Sequence, residues 1–168
     1  MIQNIDVAVA QGCEHLIFTV GGRGEKFAQR LFALPEIAFV QIGDFFGKAL
    51  RHAAGAGARR VTLATMIGKL AKFAAGNESV HSQQSAQDFA FLGTLAQQAG
   101  AVEPLVGQVH SANTAQAVSE LLAEGGIAAF PDLLCQAAWH YATSLTQDAY
   151  ALEVWLLGKA GEVLGRYP

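Results

Sequence analysis

The sequence predicts an α/β fold, a Rossmann-like three-layer arrangement with a mainly parallel sheet and an antiparallel C-terminal hairpin. Three observations carry that expectation. Short β-rich runs at residues 15–19, 37–42 and 61–65 alternate with stretches of helical periodicity, the pattern of successive βαβ units. Two of these runs pass into a glycine turn with a basic helix start, Thr19-Val20-Gly21-Gly22-Arg23-Gly24-Glu25-Lys26 and Thr65-Met66-Ile67-Gly68-Lys69-Leu70. The last two strand-like runs, 151–157 and 162–167, are separated by Gly158-Lys159-Ala160-Gly161, a length and composition suited to a hairpin.

Taken in order, residues 2–11 are Ala/Val-rich and read as a short helix ending at Gly12. A helix with no strand before it is either a true helical start or a βα series whose beginning has been removed. After the first glycine turn, Phe27, Leu31 and Leu34 recur at helical spacing up to Pro35, and Ile37-Ala38-Phe39-Val40-Gln41-Ile42 is the second strand. Gly43-Asp44 opens a helix whose buried face is Phe46, Ala49, Leu50 and Ala53, and the third strand, 61–65, follows it. Leu70–Ala75 is a helix ending at Gly76-Asn77. The polar loop Glu78-Ser79-Val80-His81-Ser82 leads to Ser85, expected to cap a helix with Phe89, Leu92, Leu95, Ala96 and Ala99 on one face. Two more helices are expected, from Asn113 or Thr114 to Gly125-Gly126 and from about Pro131 through Leu134, Ala137, Ala138 and Tyr141.

A chain of 168 residues accommodates one domain with a full core, so residues 1–168 are read as a single α/β domain. Hydrophobic residues make up 52% and charged residues only 15%, which implies either large buried helices or a face that docks on something. The net charge of −3, with eleven scattered basic residues, leaves no electrostatic footprint for nucleic acid or an anionic membrane, and neither is expected as a partner. No apolar run reaches the ~18 residues of a membrane helix. Cys13 and Cys135 stand far apart with no Cys/His ligand spacing, and no signal peptide is legible. A cytoplasmic protein without a bound metal is the expectation.

The residues that could carry chemistry collect where strands end. Glycines at Gly21, Gly22 and Gly24 let the backbone turn tightly and approach a ligand, and the first N–H groups of the following helix favour an anionic group. The spacing Gly22-x-Gly24-x-x-Phe27 lacks the third glycine of the dinucleotide fingerprint. Asp44 lies twenty residues past Gly24, where an acid commonly holds ribose hydroxyls; the same residue is equally suited to N-cap the helix that follows. Arg23 either clamps a carboxylate or is a solvated turn arginine. Gly68-Lys69 matches the end of a phosphate loop, but Leu63 stands at the position of that loop's first glycine. His81 and Ser82 fall in a polar loop at the same edge, where an imidazole could move a proton.

Three blocks together, Thr19–Lys26, Gln41-Ile42-Gly43-Asp44-Phe45-Phe46-Gly47 and Met66–Gly76 followed by His81-Ser82, resemble the cobalt-precorrin-5B C(1)-methyltransferase family in order and spacing. The resemblance runs from about residue 5 to the terminal hairpin and concerns the C-terminal part of that family, whose members are about twice as long. It implies a cytoplasmic enzyme of the anaerobic route to cobalamin that moves a methyl group from S-adenosylmethionine to carbon 1 of a cobalt-containing tetrapyrrole. On that reading Gly21, Gly22, Arg23, Gly24, Asp44 and Gly68 bind the cofactor, and His81 is the candidate catalytic side chain. It further implies that an N-terminal domain, or self-association, completes the site. A non-catalytic cofactor-binding or interaction module is the alternative, and a nicotinamide-dependent enzyme is a third.

Overall fold

A computed structural model describes every residue, Met1–Pro168. Helix α1 (Ile2–Ala10) precedes strand β1 (His15–Thr19), helix α2 (Gly21–Leu31), a 3-10 turn (Glu36–Ala38) and strand β2 (Phe39–Gln41). Helix α3 (Phe46–Ala56), strand β3 (Arg60–Met66) and helix α4 (Ile67–Ala74) follow. Four further helices, α5 (Phe89–Gln98), α6 (Leu105–His110), α7 (Ala115–Glu124) and α8 (Phe130–Thr146), come before the hairpin β4 (Ala151–Leu157) and β5 (Val163–Tyr167).

The five strands form one sheet in the order β2-β1-β3-β4-β5, with parallel pairs up to β4 and an antiparallel β4–β5 pair. This is the expected α/β architecture with its antiparallel edge. Strand alternation divides the core in two. Leu16, Phe18, Val61, Leu63, Leu152, Val154 and Leu156 point into a 37-residue cluster shared with α1, α3, α4 and the long excursion α5–α8. Ile17, Phe39, Ala64 and Leu157 point the other way into a five-residue cluster whose helical member is Ala28 of α2. The layers are therefore unequal: one face carries most of the helices and the other carries α2.

Local sequence accounts for most element ends. In α3, Phe46, Ala49, Leu50 and Ala53 form a fully buried stripe, and Gly57 closes the helix at φ +82° with its N–H on the Ala53 and Ala54 carbonyls. Thr114 caps α7 by accepting from the Ala117 N–H at 3.0 Å. Pro131 sits in the first turn of α8, whose Leu134, Cys135, Ala138 and Ala142 are buried. No helix is long and apolar enough to cross a membrane.

Four expectations need correction. Ile37–Ile42 is not one strand: Pro35 opens a 3-10 turn in which the Ala38 N–H bonds the Pro35 carbonyl, leaving three residues for β2. Helix α2 ends at Leu31, so Leu34 lies beyond it. Ser85 does not cap α5; Asp88 does, accepting from the Phe91 N–H at 2.9 Å, while Ser85 is buried and its hydroxyl donates to the His81 carbonyl at 3.2 Å. Helix α6 was not expected, because six residues are too short for a legible amphipathic stripe.

Candidate functional site

Strands β1 to β4 run parallel, so the segments after Thr19, Gln41, Met66 and Leu157 all emerge at one edge of the sheet. The chain leaves β1 over one face through α2 and leaves β3 over the other through α4. Between these two neighbouring strands lies the topological switch point, where open α/β sheets form a ligand crevice. The two glycine turns flank it.

Neither turn is a loop. Gly21 is the first residue of α2, at φ +68°, and Gly68 is the second of α4, so each strand passes into its helix almost directly. A Cβ added at Gly21, Gly22, Gly24 or Gly68 would meet nothing within 4 Å; Gly21 and Gly22 are exposed, Gly68 is partly buried and Gly24 is buried. Helix α2 has no side-chain cap and no acid in its first turn, so its leading N–H groups and positive dipole end are not neutralised there. Arg23 is not a free solvated arginine. Its guanidinium donates to the Lys159 carbonyl in the hairpin turn and lies over the Phe27 ring at 5.5 Å, tying α2 to the β4–β5 turn. Beneath, the fully buried Thr19 hydroxyl has no hydrogen-bond partner.

Around the second turn the groups are engaged. Asp44 makes no cap: α3 starts after Phe45 with no side-chain bond, which overturns the capping reading. The Asp44 carboxylate instead accepts from Lys69 Nζ at 2.6 Å, and its carbonyl accepts from the Val80 N–H at 3.0 Å. Lys69 also reaches the Val80 carbonyl at 3.3 Å, and the buried Lys72 donates to the Ser85 carbonyl at 2.6 Å. Gln87 Nε2 donates to the Gly68 carbonyl at 2.7 Å, while its buried Oε1 has no partner. Glu78 pairs with Arg51, which holds that carboxyl below its usual range, and its carbonyl accepts from the Gly47 N–H at 3.1 Å. Residues 77–88 are thus a strap pinned across the mouth of α4. His81 sits exposed on the strap, its Nδ1 accepting from the Gln83 N–H at 3.2 Å and its carbonyl from the Gln84 and Ser85 amides.

The structure brings Asp44, Gly68 and the His81 strap together and sets Gly21–Gly24 beside the hairpin turn. Sequence reasoning missed Lys69 as the partner of Asp44, as well as Lys72, Gln87 and the Lys159 carbonyl. A usable signal existed for Lys69, since it and Asp44 both directly follow strand ends in neighbouring βα units. Five clefts of about 230 to 490 Å³ include none of Gly21, Gly22, Arg23, Gly24, Asp44, Gly68 or His81; the one of about 490 Å³ opens beside β2.

Elsewhere the polar groups satisfy one another. On the α2 face His15 Nε2 meets Thr62 Oγ1 at 2.8 Å, Thr62 donates to Glu153 at 3.4 Å, and Glu153 also takes Arg60 and the Trp155 indole N–H. Burial, with a smaller contribution from Arg60, lowers the His15 pKa. Burial pushes the Cys135 thiol up to about 12, which removes it as a neutral-pH nucleophile. No group of three His, Cys, Asp or Glu side chains is placed to hold a metal ion.

Comparison with known proteins agrees with the resemblance seen in the glycine turns and the strap. Residues 79–168 match the family description "CbiD, C-terminal domain". The chain is 41% identical over 167 residues to a Geobacillus sp. (strain WCH70) protein named cobalt-precorrin-5B C(1)-methyltransferase, covering 99% of this chain and 46% of that protein. Proteins of the same name from Priestia megaterium and Pseudomonas aeruginosa (strain LESB58) are 38% and 35% identical, over 99% and 98% of this chain and 46% and 44% of theirs. The chain therefore spans about half the length of the curated relatives it matches. No solved structure matches it. With more than half of its residues inside that match, the chain belongs to the CbiD family.

Proposed function

We propose that this chain forms the cofactor-binding part of an S-adenosylmethionine-dependent methyltransferase acting at carbon 1 of a cobalt-precorrin in the cytoplasm. The observation that carries the reading is the pair of glycine turns flanking the β1/β3 switch point, with Gly21 and Gly22 exposed and Asp44 at the neighbouring strand end. These residues suit the group: a sulfonium cofactor has no phosphate, so a turn without the third glycine of the dinucleotide fingerprint is no obstacle. Gly21 and Gly22 admit the methionine portion to the backbone with the buried Gly24 behind them, the uncapped start of α2 takes its carboxylate, and Arg23 borders that position. Asp44 takes the ribose hydroxyls by exchanging its bond to Lys69, and Gly68 lines the opposite wall.

S-adenosylmethionine, when bound, would supply an electrophilic methyl group on its sulfonium, with a neutral thioether as the leaving group and the macrocycle carbon as the nucleophile. What the protein contributes is orientation and exclusion of water, so no nucleophilic side chain is required. His81, exposed at the same edge, is the side chain offered for proton handling. Calorimetry with S-adenosylhomocysteine tests the binding half: saturable heat is expected, with Asp44→Ala weakening affinity at least tenfold, or about 1.4 kcal/mol. No heat at millimolar ligand, or an unchanged affinity in Asp44→Ala, would remove the reading.

A second reading, a binding module without activity of its own, is favoured by one observation: none of five clefts of about 230 to 490 Å³ is lined by the glycine turns, Asp44 or His81. On this view the remaining wall comes from the part of the relatives that this chain does not span, or from self-association. Adding the separately made N-terminal half of the Geobacillus relative should then restore turnover of the cobalt-containing tetrapyrrole, and His81→Gln should lower it at constant S-adenosylhomocysteine affinity. Turnover by this chain alone would exclude the second reading.

A further inference from the structure

The two edges of the sheet are finished differently. At the β5 edge the Arg166 N–H donates to Asp132 at 2.9 Å, and a Cβ added at Gly165 would come within 2.6 Å of the Pro131 backbone, so the start of α8 lies directly on that strand. The β2 edge carries no such cover. Its ladder to β1 pairs Phe39, Val40 and Gln41 with Ile17, Phe18 and Thr19, and the Ile42 N–H bonds the Thr19 carbonyl at 2.9 Å. In a parallel ladder alternate residues turn both backbone groups to the same side, so Val40 and Ile42 face β1 while Phe39 and Gln41 face outward. The Phe39 N–H is taken by the Glu36 carbonyl. The Phe39 carbonyl and both backbone groups of Gln41 remain without a strand.

Beside this edge lies a cleft of about 490 Å³, lined by Asn4 and Val7 of α1, Glu25 of α2, and Glu36, Ile37 and Phe39. Helices from both layers overhang the sheet there, and Val7 is 46% exposed into the gap. The topology points to the same place. Helix α1 packs with α3 on one face, and the β2–α3–β3 crossover on that face advances from the β2 side toward β3. Right-handed crossovers over one face all advance in one direction, so a parallel strand that feeds β1 through α1 must come from the β2 side. The position next to β1 is already filled by β2, which leaves the outer edge of β2.

The geometry points to β2 as an acceptor for one more parallel strand, supplied by the upstream portion of the family's longer chains and seated in the groove between α1 and α2. Two facts commit the occupant to that portion: the relatives are about twice this chain's length, and the matched family description is of a C-terminal domain, so the additional length lies ahead of it. The inference rests on the reading that the relatives' other half joins this one, and it does not depend on which methyl donor binds.

Overlapping peptides covering the N-terminal half of the Geobacillus relative, titrated to millimolar concentration against this chain, test the seat directly. One extended segment is expected to bind and to slow hydrogen exchange at the Gln41 amide at least tenfold. Gln41→Pro removes the outward N–H at an edge where proline is tolerated, and it should weaken that binding at least tenfold. The exposed substitution Val7→Asp should do the same by a different route. Absence of any peptide that protects Gln41, or binding undiminished in both variants, would overturn the proposal. So would concentration-dependent self-association abolished by Gln41→Pro, which would give the edge to a second copy. S-adenosylhomocysteine calorimetry on the same samples reports on the cofactor reading separately, so either can fail alone.

Discussion

The two glycine turns that flank the switch point have similar sequences and different fates. At Gly21–Gly22 the backbone is exposed: α2 begins without a cap, Gly24 behind them is buried, and Arg23 is turned aside to the Lys159 carbonyl. At Gly68 the strap 77–88 crosses the helix mouth, Gln87 occupies the Gly68 carbonyl, and Lys69 holds Asp44. A glycine turn at a strand end thus marks where a ligand crevice can form, whereas the segments folded over it decide whether the crevice is open. At the first turn no side chain caps the helix start, whereas at the second the strap engages the Gly68 carbonyl.

Perturbing the strap should give the largest change. Lys69→Ala leaves the partly buried Asp44 carboxylate without its cation and frees the Val80 carbonyl, which costs about 1–2 kcal/mol of local stability. The Val80, Gln84 and Ser85 amides should then exchange roughly tenfold faster, with the α2 amides unchanged. Equal acceleration at both turns would show that they do not differ in the way described.

Alanine substitutions at the two turns should have opposite signs. Gly21 sits at φ +68°, so Gly21→Ala should destabilise by about 1 kcal/mol through backbone strain alone. Gly68 has an ordinary helical position and free space at its Cβ, so Gly68→Ala should stabilise by about 0.5 kcal/mol. Urea midpoints at constant m-value separate the two, and a loss at Gly68 as large as at Gly21 would contradict the assigned geometry.

A smaller effect distinguishes the α2 face from the strap. Because the folded His15 pKa lies below its unfolded value of about 6.5, the unfolded chain binds the proton more readily. The His15 contribution is complete above that value and is lost as pH falls from about 6.5 toward the lower folded pKa. Between pH 7.5 and 5.5 the urea midpoint of His15→Asn should decline less than that of the parent; parallel declines would dismiss the buried imidazole as a source. Smallest of all, Arg23→Ala removes an exposed contact and should change stability by no more than about 0.5 kcal/mol. A larger loss in thermal or urea unfolding would mean that the link between α2 and the hairpin turn holds the first turn open.

Much of this was legible in one dimension. The compact apolar strand His15–Thr19, the stripe Phe46-Ala49-Leu50-Ala53 and the glycines at strand ends each express a local preference or backbone requirement, and the structure keeps them. The glycine turns, Asp44 and the His81 loop were also placed at one edge by strand direction alone. The short β2 was not legible, because Ile37 and Ala38 have strand-like composition but follow Pro35 into a 3-10 turn. Nor was the cap of α5, where Ser85 and Asp88 are both chemically suitable and the strap's burial of Ser85 selects Asp88.

By itself the sequence determined the α/β class and the parallel run with its antiparallel hairpin, since these follow from periodicity, chirality and chain direction. Only the tertiary structure decided that Asp44 serves Lys69 rather than its own helix, that Arg23 turns to the hairpin, and that the β2 edge stays open while the β5 edge is covered. Those outcomes depend on which of several chemically equivalent partners, 25 to 136 residues apart, arrives within hydrogen-bond distance; strand-end positions hint at the Asp44–Lys69 pair, but no local pattern selects among the partners.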